Sequence, residues 1–189
     1  MLSNKKSLSD EEVKVLRSWW QSLVLSDAEL KEKHIHSAPS GHKAKLKRAE
    51  SVDAVLMQDA FRTLWLSLPE KEHHSANNME CWAVIAASLI HVSPGYQDGI
   101  AAAAGKKPEK GDKSLVSEMR FSQLQAAKTP NELLRTLRRL LKLMKGKVEP
   151  LDLAKNINQW FSEYHQSGLV HAKNRISVKW AMDYYRAAK

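Results

Sequence analysis

The chain has 189 residues, 43% of them hydrophobic, which supports one domain of good size or two small helical ones and excludes a chain that is disordered throughout. Its 30 Lys and Arg against 21 Asp and Glu leave a net charge of +9, a balance that favours a polyanionic partner: nucleic acid ahead of an acidic protein or a lipid surface. Cys81 is the single cysteine, so no intramolecular disulfide is possible and a reducing cytoplasm fits. No apolar run approaches the roughly 20 residues of a membrane span, and MLSNKKSLSDEE lacks the apolar core of a signal peptide.

Ser9-Asp10-Glu11-Glu12 opens a first helix whose apolar face is Val13, Leu16, Trp20, Leu23 and Val24. Trp19 and Trp20 could stack on bases, but neighbours on a helix diverge by about 100°, and the core is the expected place for both. A short helix from Asp27 to about Lys33 precedes His34-Ile35-His36 and the loop Ser37 to Gly41. The run HKAKLKRAES then sets Lys43, Lys45, Lys47 and Arg48 ahead of the first acid, Glu50; as plain structure it reads as a solvated loop or helix end. Ser51-Val52-Asp53 caps a predicted helix reaching Leu68-Pro69, with Leu56, Ala60, Leu64 and Leu68 in register and Phe61 and Trp65 beside them. Lys71 to His74 reads as a polar connector. From Ser75 or Asn77 a strongly apolar helix runs through Trp82, Ile85, Ala86, Leu89 and Ile90 to Ser93-Pro94-Gly95, as the centre of an N-terminal bundle.

GIAAAAGKKPEKGDK, from Gly99, can prolong a helix through its alanines before a Gly-, Pro- and Lys-rich linker. The expected organisation is an N-terminal helical lobe (1–104), a basic flexible linker (105–116) and a C-terminal helical lobe (117–189). The second lobe starts at Ser117-Glu118 with Met119, Phe121, Leu124 and Ala127 as its apolar set. TPNELLRTLRRLLKLMKG follows, with Thr129 as cap, Pro130 in the first turn and Glu132 three residues on, which is a capping box. Leu133, Leu137, Leu140, Leu141 and Met144 form one stripe; Arg135, Arg138, Arg139, Lys142 and Lys145 fall opposite, with no acid after Glu132, and Gly146 ends the helix. Pro150 begins a helix with Leu151, Ala154, Ile157, Trp160, Phe161 and Tyr164 inward, ended by Ser167-Gly168. The last, from about Lys173, carries Ile176, Trp180, Ala181 and Tyr184. With no period-two strands, the fold class is all-α: two packed helical-bundle lobes.

No catalytic constellation emerges. Gly99 to Lys106 has five residues between its glycines, no buried strand before it, and Lys107 where a phosphate-binding loop needs the Ser or Thr that holds magnesium. His34 with His36, or His73 with His74, could share a metal, but neither pair has an acidic partner at ligand spacing, and surface histidines explain them. Cys81 lies on an apolar helix face, and acids are sparse near the basic clusters, against a two-metal nuclease. No cofactor is called for. What remains is backbone binding: Lys and Arg neutralise phosphates without reading sequence, and Arg120, Arg138 and Arg139 add bidentate forks.

LRSWWQSL, AKLKRAES, GIAAAA, SEMRFSQLQAAKTPNELLRTLRRLLKL and the Trp160 to WAMDYY end stand in an order that resembles the CasB family, the small subunit of the type I-E CRISPR surveillance complex, Cascade. SE-x-RF followed by LRRLL is the most specific part. The resemblance implies a two-lobed helical protein without enzymatic activity, cytoplasmic, that pairs with a second copy beside the large and backbone subunits. It would lie against guide RNA and hold the target and displaced strands of the R-loop. By position the family's contacts fall on Lys47 and Arg48, Arg120, and Arg138 with Arg139; helical face adds Arg135 and Lys142, and Lys45 shares the first cluster. Where the family often pairs two arginines, Lys47-Arg48 has one guanidinium fork fewer. The alternatives are a free-standing basic helical RNA-binding protein, a metal-dependent nuclease built on the histidine pairs, or arginines that grip a partner subunit instead of nucleic acid.

Overall fold

A computed structural model of the chain describes residues 7–166 and 171–189, and every regular element among them is helical. In order they are α1 (Asp10–Val24), α2 (Asp27–Glu32), α3 (His42–Arg48), α4 (Val52–Leu56), α5 (Asp59–Ser67), α6 (Glu70–His73), α7 (Ala76–Leu89), α8 (Ile100–Gly105), α9 (Glu118–Gln125), α10 (Pro130–Leu143), α11 (Pro150–Tyr164) and α12 (Ile176–Ala188), with a 3-10 turn at Ala172–Asn174. The all-α reading holds. The expected stop of α11 at Ser167-Gly168 lies outside the described residues.

Everything is arranged around α7. Every residue from Cys81 to Ile90 is buried, because α4, α5, α6, α10 and α11 pack on it from different sides. Ala83, Ala86 and Ala87 leave room for those neighbours to approach closely. Both tryptophans of α1 are core, as expected: Trp19 donates through Nε1 to the Ala60 carbonyl (2.8 Å) and Trp20 to the Leu89 carbonyl (3.0 Å). Their divergence about the helix lets α1 reach α5 with one ring and the end of α7 with the other. The buried side chains before and after residues 105–116 belong to one continuous core, and α8, on the N-terminal side of that segment, packs chiefly on α12. The α8–α12 approach requires Gly105, since a Cβ there would collide with the Tyr184 carbonyl oxygen.

Several local expectations are corrected. The long helix predicted from Ser51 to Leu68 is two, α4 and α5, broken at Met57-Gln58. At about 100° per residue a continuous helix would set Val52 and Val55 roughly 180° away from Ala60, Phe61, Leu64, Trp65 and Leu68. All seven are buried, so the chain has to turn between the two sets. The polar connector at Lys71 to His74 mostly forms the single turn α6, and Glu72 is buried, accepting from Trp82 Nε1 at 2.9 Å. Glu12, at the start of α1, is buried too: its Oε2 accepts from the Ser9 N–H (2.8 Å) and its Oε1 pairs with Lys71 (3.1 Å). Met119 and Tyr164, expected in the core, are exposed, and Leu56 and Leu151 only partly buried, whereas Leu153 and Leu134 fill core positions the periodicity had left out.

Candidate nucleic-acid interface

The helix with the arginine row, α10, starts as its residues dictate. The Thr129 hydroxyl accepts from the Glu132 N–H (3.2 Å), with Pro130 in the first turn. The reciprocal half of the box is displaced by one residue: Glu132 Oε2 takes the N–H of Lys128 (2.8 Å) instead of that of Thr129. The helix closes on a Schellman turn with Lys145 (φ 53) and Gly146 (φ 70) both left-handed, where the Gly146 N–H returns to the Leu141 carbonyl (2.8 Å) and the Lys145 N–H to Lys142 (3.2 Å). Glycine is needed at the second place, because a Cβ there would meet the His91 carbonyl and the Ser93 nitrogen. All five stripe residues, Leu133, Leu137, Leu140, Leu141 and Met144, are buried, together with Leu134 and Thr136.

Arg138 does not join the outer row. It sits about 40° around the helix from buried Leu134, and its side chain turns inward. Nε donates to the Ala87 carbonyl of α7 (3.2 Å), Nη2 to Leu46 of α3 (3.1 Å), and Nη1 to Ala49 just beyond α3. Three of its five N–H groups are thereby spent on main-chain carbonyls, leaving two for any outside partner. Burial pushes its pKa down, opposed by the charge of Glu50, but a guanidinium remains ionised at any ordinary pH.

The other cations of α10 are free. Arg135, Arg139 and Lys142 are exposed along one crest, and none takes part in an ion pair among the described residues. Beside this crest a groove of about 460 Å³ runs between α9 and α10; Arg120, Arg139 and Lys142 line it, with Gln123 and Thr136 as neutral polar groups and Leu140 and Leu143 as apolar floor. No acid contributes to that lining. Arg120 is thus brought together with Arg139 and Lys142 across two helices.

On the opposite flank of α10 lies α3, a regular helix and not a loop, presenting Lys43, Lys45, Lys47 and Arg48 to solvent. Lys47 and Arg138 share one electrostatic neighbourhood, since both act on His91 at the end of α7. Burial, then Arg138, then Lys47 hold the imidazole down at about 4, and its buried Nε2 has no hydrogen-bond partner. Lys43 is likewise held below its ordinary value by burial first and Lys47 second. The sequence-predicted residues therefore divide into Arg120, Arg139 and Lys142 around the groove, Arg135 on the crest, Lys45, Lys47 and Arg48 on α3, and Arg138 as the link between α10 and the end of α3. Thr136 on α10 and Gln123 on α9 join the groove without any signal in the sequence, because neutral polar groups beside an apolar stripe carry no charge that marks them.

Among the described residues no three His, Cys, Asp or Glu side chains gather as metal ligands, and no helix is long and apolar enough to cross a membrane. His73 Nε2 lies 2.7 Å from the Trp65 carbonyl, and its ring tilts against Trp65. Fold and surface together define an all-α protein with an acid-free cationic groove between α9 and α10. The family model described as CRISPR-associated protein Cse2 matches residues 42–185, from the start of α3 to within α12. The chain belongs to that family, Cse2 or CasB, of the type I-E CRISPR Cascade. No curated protein and no solved structure gives a match to it.

Proposed function

We propose that this chain is the non-catalytic small subunit of a type I-E Cascade, working in the cytoplasm, and that it steadies guide RNA and the target and displaced DNA strands of the R-loop through their phosphates. One observation carries the reading: Arg120 of α9 converges with Arg139 and Lys142 of α10 on a groove whose lining contains no acid. Cations so placed gain from releasing condensed counterions and need no base-reading group. Because exchanging a DNA duplex for an RNA–DNA duplex is nearly balanced, modest backbone contacts are enough to tip it. Arg135, and Lys45, Lys47 and Arg48 on α3, extend the cationic surface on either side; Arg138 supports it from within and has two N–H groups to add. Guide RNA, the backbone and large subunits and a second copy of the chain are the partners this role requires.

The test compares the wild-type chain with the triple variant Arg120→Ala, Arg139→Ala, Lys142→Ala in the reconstituted complex, measuring binding to unrelated target sequences across a salt series. The variant should bind every sequence more weakly by a similar factor, and its log–log salt slope should shallow by roughly 0.7 to 0.9 per lost phosphate contact. An unchanged slope, with native helicity retained, removes the groove from the interface. A tagged chain that emerges from its host without guide RNA or other subunits removes the Cascade role.

A further inference from the structure

Tyr164 stands outside the core although its helical phase points inward. On α11 it lies about 40° round the helix from Trp160 and about 60° from Phe161, both of them buried. α11 ends at this residue, and its side chain is left 45% exposed. The ring lies flat on Trp160, with centroids 5.0 Å apart and planes 12° from parallel, while Phe161 and His165 meet it at 74° and 71°. Trp160 is itself held edge-on against Phe161 at 73°, so the support beneath Tyr164 is fixed. An aromatic ring backed by a second ring and still open to solvent is a stacking platform before its base arrives. Tyr185, the other exposed tyrosine, differs on both counts: its hydroxyl donates to the Glu118 carboxylate, and its ring meets Tyr184 at 88°.

The segment leading into α12 brings cations to the same end of α11. Both oxygens of Glu163 accept the Ile176 N–H (2.9 and 3.1 Å), and Gln159 Nε2 donates to the Asn174 carbonyl (2.9 Å). These bonds seat the 3-10 turn Ala172–Asn174 and the start of α12 on the last two turns of α11. His171, Lys173 and Arg175 are exposed on that segment, and Lys173 holds no ion pair among the described residues. The one carboxylate beside Tyr164 in sequence, Glu163, is already engaged by Ile176 and by Gln159 Nε2 (2.7 Å). The segment also adjoins the cationic groove: Gln125, two residues beyond Gln123 on α9, donates to the Ser177 carbonyl in the first turn of α12 (3.2 Å). A single strand leaving the α9 side of the groove therefore meets this turn next.

We infer that Tyr164 receives an unpaired nucleobase of a single strand, stacked on the ring that Trp160 supports, with a phosphate of that strand at Lys173. The inference shares with the proposed function only that the chain binds nucleic acid. It is tested on the full-length chain with two probes of equal phosphate number, a short oligothymidine and its abasic counterpart. Tyr164→Ala should weaken binding of the oligothymidine about tenfold and leave the abasic probe and both salt slopes unchanged. Tyr164→Phe, which keeps the flat ring, should bind as wild type. Lys173→Ala should weaken both probes and shallow the log–log salt slope by roughly 0.7. The triple groove variant is the reference, since it should weaken both probes alike. Equal losses on the two probes for Tyr164→Ala, no loss on either while the groove variant weakens both, or a Tyr164→Phe variant as weak as Tyr164→Ala overturns the stacking site and leaves the groove standing. An unmoved slope for Lys173→Ala overturns the place given to the phosphate. A groove variant that binds as wild type, beside a Tyr164→Ala loss confined to the oligothymidine, overturns the groove and supports the stacking site. A wild-type chain that binds neither probe overturns both.

Discussion

Arg138 and Arg139 are adjacent in sequence and carry the same group, yet they do opposite work. Arg139 stands on the outer crest of α10, unpaired, with Arg120 and Lys142 around a shared groove. Arg138, about 100° further round the helix, is drawn into the seam between α10, α3 and α7 and holds three carbonyls there. In the seam the guanidinium satisfies main-chain acceptors that solvent no longer reaches, so its value is structural. On the crest a guanidinium holds no ion pair among the described residues, and its value depends on a partner. Charge alone does not separate the two; angular distance from the buried stripe does.

The contrast is broken most sharply by Arg138→Ala. Removing the side chain leaves the Leu46, Ala49 and Ala87 carbonyls without that donor at a partly closed site, which should cost about 3 kcal/mol. For a chain of this size that is a fall of roughly 6 to 12 °C in melting temperature, measurable by calorimetry. Arg138→Lys should recover only part of the loss, since one ammonium cannot span three separated carbonyls. A melting temperature unmoved by Arg138→Ala would return that residue to the same class as Arg139.

His91 sharpens the comparison from the other side of the seam. Its folded pKa of about 4 lies below the ordinary 6.5, through burial first and then the charges of Arg138 and Lys47. The unfolded chain takes up a proton on this ring as pH falls through 6.5, while the folded chain resists until about 4. Stability present above pH 6.5 is thus lost as pH falls toward 4, by about 1 to 2 kcal/mol once solvent screening at a half-buried site is allowed for. His91→Leu removes the titration and forfeits no hydrogen bond at Nε2, so its unfolding free energy should be flatter across that window. Equal slopes for both proteins would mean that the ring titrates freely and that the seam is open to water.

Much of this was legible from spacing alone, and the exceptions have physical reasons. The caps at Ser9 and Thr129, the leucine stripe of α10 and the two core tryptophans follow from local hydrogen bonding and from burial at helical period. The break between α4 and α5 was also written in the chain, as two apolar sets about half a turn out of phase, although Leu56, Ala60, Leu64 and Leu68 suggested one continuous stripe. The stripe Leu133, Leu137, Leu140, Leu141 and Met144 sets Arg138 on the far side of the helix; with buried Leu134 included, Arg138 lies at the stripe's edge. Its acceptors at Leu46, Ala49 and Ala87 are 51 to 92 residues away in sequence, beyond the reach of any local pattern. Glu72 was unreadable for a similar reason: nothing nearby announces that the indole of Trp82 will come to meet it.

The smallest effect on stability is expected on the crest of α10. Replacing Arg135, Arg139 and Lys142 together by Ala removes three cations that hold no internal partner and stand within a turn or two of one another on α10. Alanine is a slightly better helix former than either residue, and the mutual repulsion of the row is relieved. Against that, Arg139 and Lys142 line the groove beside Leu140 and Leu143, and shortening them removes aliphatic stem from that lining. These small terms oppose one another, so the melting temperature of the free chain should stay within about 2 °C of wild type, corresponding to roughly 0.5 kcal/mol. Such a variant, stable yet weakened on nucleic acid, would show that the crest is retained for a partner. A loss of stability approaching that of Arg138→Ala would instead make the crest part of the fold's own support and erase its difference from the seam.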